Sequence, residues 1–316
     1  MKEGIRFMKK MIGLGFFLSI LLILFIFFQQ DKSDSGYKDK IYVEDYKGDD
    51  DSTKIQAAID KARANKIKTV KLADRKYTIT SPIKVRQGVK LLFGYGTQFI
   101  VVGNFRVLEL EKNASIEGAY IVIKDKAFNS EVIYLDGKYK YYNTWNKTYV
   151  KDVNIINWTQ SKQGTGISLY SGGRDHEISF VNFENVNVSG METGLKLKAT
   201  KPSSGYTWIN ANRFMNISLE GCLNMIYIES HSTIPNEVSG NQFTNLQIQP
   251  TSNTKSILNV SGGYNKFDGM SWDLQRITHQ NAVVELTEQS IGTNIDIPSL
   301  PMNRISDRGQ ANKVNQ

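Results

Sequence analysis

A chain of 316 residues with 40% hydrophobic content can bury one large core or two ordinary ones, which excludes a disordered protein. Its 39 Lys+Arg against 31 Asp+Glu give a net charge of +8 without any Lys/Arg block, so no nucleic-acid partner is expected. One cysteine, Cys222, and three histidines exclude a disulfide scaffold and a Cys- or His-rich metal site, which leaves packing to stabilise the fold.

Met11 to Phe28 reads MIGLGFFLSILLILFIFF, 18 residues without a charge. At about 1.5 Å rise per residue such a helix spans roughly 27 Å, close to the bilayer core. The segment predicts a single transmembrane anchor over residues 11–28. A cleaved signal peptide is the alternative, but the run passes directly into Gln29 and Gln30 with no small-residue cleavage site. Lys2, Arg6, Lys9 and Lys10 then place the N-terminus in the cytoplasm and everything after Gln30 outside the cell, in a single-pass arrangement. Residues 31–40, DKSDSGYKDK, read as a polar tether.

Asp51, Ser52 and Thr53 offer cap oxygens for a helix in which Ile55, Ala58, Ile59 and Ala62 fall at i, i+3, i+4 and i+7, which predicts one amphipathic helix over about 53–64. From Thr69 onward short alternating runs such as TVKLA, KYTIT and QFIVVG replace helical periodicity.

Those runs contain a repeat. FENVNVSG at 183, FMNISLEG at 214, FTNLQIQP at 243 and FDGMSWDL at 267 share an aromatic leader and an alternating strand, and VKDVNIIN at 150 and IEGAYIVI at 116 fit with an aliphatic leader. Their starts lie 34, 33, 31, 29 and 24 residues apart, and each is followed by a second short strand, from IYLDG at 133 to AVVELTE at 282. Two or more strands per unit at that period, with no helix between them, predict an all-β parallel β-helix over 41–298, with residues 299–316 as a loosely held tail. The leader and the third and fifth residues after it should stack inside the coil. Asn185, Asn216 and Asn245 should form an amide ladder at a left-handed bend.

The stretch over residues 43–85 carries a more specific signal. Gly48, Asp49, Asp50, Asp51, Thr53, Ile55, Gln56, Ala57, Ala58, Ile59 and Ala62 resemble the opening of the pectate-lyase-like superfamily, which includes phage tailspikes and polygalacturonase-related proteins. Of that family's following Pro-x-Gly-x-Tyr turn, Ala73 to Tyr77 keep only the tyrosine. The resemblance implies a right-handed coil capped by the helix, and long polysaccharide substrates. The polygalacturonase-type set of Asn-Thr-Asp, Asp-Asp, Gly-His-Gly and Arg-Ile-Lys is absent from the chain.

Three catalytic candidates arise from position. Glu220 and Asp273 share the sixth place after the leader with Ser189 and Gln249, a place that alternation turns outward. Two coils apart, they would stand roughly 9.6 Å apart at the backbone, near the upper end of the roughly 6.5–9.5 Å carboxyl separation of inverting glycosidases. A solvated strand face is the plainer reading. The turn GGRDHE presents Arg174, Asp175 and His176, and YIESHS presents Glu229 and His231, either as acid–base groups or as ordinary charged turns. Tyr142 and Trp145 lie in the insertion KYKYYNTWNKTY, and Tyr206 and Trp208 in KPSSGYTW; these aromatics, with Arg174, are candidate sugar-binding groups, and interleaved lysines suit an anionic glycan.

Three functions follow: an anchored extracellular polysaccharide lyase or hydrolase, a non-catalytic glycan-binding protein of the cell envelope, or a structural β-helix that pairs with copies of itself. No metal or other cofactor is expected, save calcium if the protein is a lyase.

Overall fold

The computed structural model describes residues 39–230 and 238–315. The apolar segment 11–28, the tether up to residue 38, and His231 lie outside them. Among the described residues no helix is long and apolar enough to cross a membrane.

Every strand pairing among the described residues is parallel. The strands form a 14-stranded and a 13-stranded sheet in which neighbours come from successive turns of the chain, the arrangement of a parallel β-helix. The leaders align as the repeat requires: Val150, Phe183, Phe214, Phe243 and Phe267 pair in register. The four phenylalanines, fully buried, stack with centroids 4.5, 4.4 and 4.7 Å apart and rings within 12° of parallel. That spacing matches the separation of hydrogen-bonded strands, so one ring per coil fills the column without a gap.

The helix runs Asp51–Ala64, two residues longer than its pattern suggested. Asp50 is the cap: its side chain accepts from the Thr53 N–H at 2.7 Å while the Thr53 hydroxyl accepts from the Asp50 N–H. Asp51 is thereby freed to bind Arg75 at 2.8 Å, and the Ser52 hydroxyl accepts from Thr80 N–H. Ile55, Ala58, Ile59 and Ala62 are fully buried against the first coil. Tyr77, the residue kept from the family turn, is buried. It accepts from Ala73 N–H and donates to Glu44, tying the cap to the coil.

Residues 299–315 are not a loose tail. Ile305–Asp307 and Lys313–Asn315 pair with Val284–Ile291 and Asn294–Asp296, and Ile305 and Val314 pack on the core. Their strands are three residues each, too short for alternation to reveal.

Two ladders fix the coil. Asp152, Asn185, Asn216 and Asn245 all have φ between 53° and 55° or, for Asn216, 56°, and each asparagine amide donates to the preceding side-chain oxygen at 2.7–2.9 Å. The bonds run side chain to side chain, not to backbone. A second ladder is fully buried: the Asn212 and Asn241 amides donate to the Asn241 and Asn265 side-chain oxygens at 2.9 and 3.0 Å and also to the carbonyls of Ile178 and Ile209. These asparagines satisfy the backbone of a turn that would otherwise leave polar groups dry and unpaired.

The coil from 267 departs from the template. Pairing slips between Phe243 and Leu246, so that Leu246 faces Gly269 and Ile248 faces Ser271. Gly269 has φ 156°, and a Cβ there would meet the Leu246 carbonyl oxygen at 2.3 Å, so glycine alone fits the shortened coil.

Candidate functional site

The slip decides the fate of the first proposed pair. Ser189, Glu220 and Gln249 do align, but the place after them is taken by Trp272, since Ile248 pairs with Ser271. Asp273 is pushed into a turn with φ 51°, where its carboxylate accepts from the Gln249 amide at 3.0 Å. Ser271, opposite Ile248, is buried. Glu220 and Asp273 are therefore two exposed carboxylates on one side of the molecule that do not share a strand position.

The other candidates fall into separate groups, one of which joins Arg174, Asp175 and His176 to Tyr206 and Trp208 on the next coil, where the Tyr206 carbonyl accepts from Asp175 N–H at 2.8 Å. Arg174 and Asp175 face each other at 3.6 Å, with side chains 72% and 51% exposed, at the tip of a turn. His176 begins the strand His176–Ser179 with Nδ1 buried, unbonded and 4.0 Å from Asp136. Trp208 pairs beside Glu177, while Tyr206 is 55% exposed on the neighbouring loop. Trp145 and Tyr142 lie on the insertion before Tyr149–Asn157. Glu229 joins a larger cluster, which His176 borders through Asp136.

That cluster is the outer face of the second large sheet. Alternation in Leu108–Leu110, Glu131–Asp136, Thr165–Ser171, Thr193–Ala199 and Asn224–Ser230 buries Leu110, Leu135, Leu169, Leu197 and Ile228 and turns the residues between them outward. Two rows result: Glu109, Tyr134, Ser168, Lys196 and Tyr227 in one, Asp136, Tyr170, Lys198 and Glu229 in the next. Between them Glu131, Tyr134, Ser168, Tyr170, Lys196 and Lys198 line a hollow of about 180 Å³.

Each carboxylate here is held by a cation. Glu131 binds Arg106 at 3.4 Å, and the guanidinium of Arg106 lies 3.4 Å from the Tyr134 ring centroid. Glu229 binds Lys198 at 3.0 Å, and Asp136 binds Lys138 at 3.1 Å. Burial alone would raise the Glu109 carboxyl, but the Tyr139 hydroxyl at 2.7 Å and the nearby Lys138 and Lys84 outweigh it and hold that group below the usual carboxylate range. Burial, then Asp136, pushes the Tyr134 phenol upward, so it stays protonated. Lys196 has no carboxylate within ion-pair reach among the described residues; its ammonium sits 6.0 Å from the Tyr227 ring. Nor do three or more His, Cys, Asp or Glu side chains among them converge as a metal site needs.

The two lysines were legible in GLKLKA, whose alternation puts Lys196 and Lys198 on one face.

Residues 146–282, less than half of the chain, match the family described as Glycosyl hydrolases family 28. No curated protein sequence matches the chain significantly. Among solved structures, an iota-carrageenase of family GH82 from A. fortis is 12% identical with a TM-score of 0.36, over 81% of this chain and 57% of that one. The Geobacillus virus E2 protein ORF18 is 16% identical with a TM-score of 0.34, over 79% and 60%. The A-module of an Azotobacter vinelandii mannuronan C-5 epimerase is 14% identical with a TM-score of 0.33, over 86% and 95%. The chain thus spans about three fifths of the first two structures. The resemblance in the opening stretch and the match over 146–282 point the same way: that segment is similar to the glycosyl hydrolases of family 28, and it lies within a parallel β-helix.

Proposed function

We propose that the outer face of the second sheet binds an acidic polysaccharide and does not hydrolyse it. The observation that carries this reading is the placement of Lys196 and Lys198 on one strand, both outward, beside the hydroxyl groups of Ser168, Tyr170 and Tyr134. Two ammonium groups along a ridged surface suit carboxylates or sulfates that recur along a polymer, and flanking tyrosines offer ring faces to sugars. Hydrolysis needs one carboxyl that stays protonated and one that activates water. Glu109, held ionised, is unsuited to donate a proton, and Glu131 is paired with Arg106 at 3.4 Å. The apolar segment 11–28 would serve this role as an anchor that displays the coil outside the cell.

The test is to incubate the full-length chain with polygalacturonate, alginate, carrageenan and neutral dextran. Retention by the acidic polymers, new reducing ends and the ultraviolet absorbance of unsaturated products would be followed together. The reading expects retention without cleavage. New reducing ends would establish hydrolysis, and unsaturated ends a lyase.

A further inference from the structure

A second hollow, of about 220 Å³, lies away from that face, at the corner between the strand Tyr141–Tyr142 and the strand Tyr149–Asn157. It is lined by Lys112, Asn113, Tyr142, Asn143, Trp145 and Lys147. Trp145 is 81% exposed and Tyr142 is 58% exposed. An indole left in water forgoes the burial that usually holds tryptophan in place, so its position needs another cause.

The loop that carries it is built to hold it out. Asn143, 6% exposed, accepts from the Lys147 and Thr148 N–H groups at 2.8 Å each, and its amide donates to the carbonyls of Thr148 and Phe180 at 2.7 and 3.1 Å. Asn146, in the left-handed region with φ 48°, accepts from the Asn182 amide of the next coil at 2.6 Å. Tyr142 is braced edge-on against Phe180, with centroids 5.4 Å apart. The five bonds fix a turn whose one large apolar group points to solvent. The Lys147 ammonium lies 5.3 Å from the Trp145 ring, and Lys112 also lines the hollow.

We propose that this corner is a separate subsite for one acidic sugar, with the pyranose face on Trp145 and its carboxylate between Lys112 and Lys147. Both surfaces would be held in place before binding, so little ordering is lost when the sugar arrives. A polymer long enough to meet both the corner and the second-sheet face would gain avidity from the pair. This inference rests on the reading of the protein as an acidic-polysaccharide binder.

Tryptophan fluorescence tests it, with the full-length chain titrated by a galacturonate trimer, polygalacturonate and dextran. The trimer should quench the wild type, and Trp145→Ala should remove that quench and weaken polygalacturonate binding by about tenfold or more, since the second contact is lost. Lys147→Gln should weaken the trimer while leaving the indole in place. Lys196→Gln with Lys198→Gln should keep the trimer quench. Polymer binding unchanged in Trp145→Ala, or a quench by dextran as strong as by the trimer, would overturn the subsite alone. Loss of binding in Trp145→Ala with none in the double lysine variant would overturn the second-sheet reading alone.

Discussion

On the first sheet, asparagine side chains of successive coils bond to one another, whereas on the second sheet tyrosine, lysine and carboxylate alternate from coil to coil. Both faces share the same coil spacing. A row of identical amides can saturate itself, each donor meeting the acceptor above it, and so has little left for a ligand. A row of unlike groups cannot close in this way, and it leaves Lys196 beside a hollow lined with hydroxyl groups. Repetition along the coil therefore marks structure, and its interruption marks a surface open to a partner.

The largest effect should come from the stacked column. Phe214→Ala removes the ring between Phe183 and Phe243 and is expected to cost about 3–5 kcal/mol in chemical denaturation. A loss under about 1 kcal/mol would mean that the ring is not packed, because exposed sites fall in that range. The two amide ladders sharpen the point. Asn241→Ala strips a fully buried turn of its partners and should cost about 2–3 kcal/mol, while Asn216→Ala, on the exposed ladder, should cost about 1 kcal/mol for two solvent-exposed bonds and a left-handed alanine. Equal costs would erase the distinction between the ladders.

The second-sheet face should show itself in acid. The Glu109 carboxyl is lowered in the folded chain, so its contribution is present above its unfolded pKa and is lost as pH falls through the folded value. The unfolding temperature of the wild type should drop across that acid range, and Glu109→Gln should flatten the drop; parallel curves would show that Tyr139, Lys138 and Lys84 do not hold the charge. Smallest of all, Glu220→Gln should change stability by less than about 0.5 kcal/mol, as expected of an exposed carboxylate, and leave polysaccharide retention intact.

The coil was legible in the sequence because each repeat brings the same side-chain types to the same strand place: the leaders Phe183, Phe214, Phe243 and Phe267 are in register as the spacing required. The buried ladder is legible too, as Asn-x-Phe at 212, 241 and 265, two places before the leader, where it mirrors the exposed asparagines two places after it. Asp273 was misplaced because a template counted in sequence cannot see a one-residue slip, which appears only as Gly269 facing Leu246. The second-sheet face stayed hidden for another reason. Arg106, Glu131, Tyr134 and Lys198 come from strands spread over more than one coil, and only register puts them on one surface.

The central claim is that Lys196 and Lys198 hold an acidic polymer on that surface, and affinity electrophoresis through gels containing polygalacturonate tests it most directly. The wild type and Glu220→Gln should be retarded alike, and Lys196→Gln with Lys198→Gln should lose about tenfold in affinity, the equivalent of about 1.4 kcal/mol from two partly screened charge contacts. Retardation of the double variant equal to that of the wild type would contradict the account.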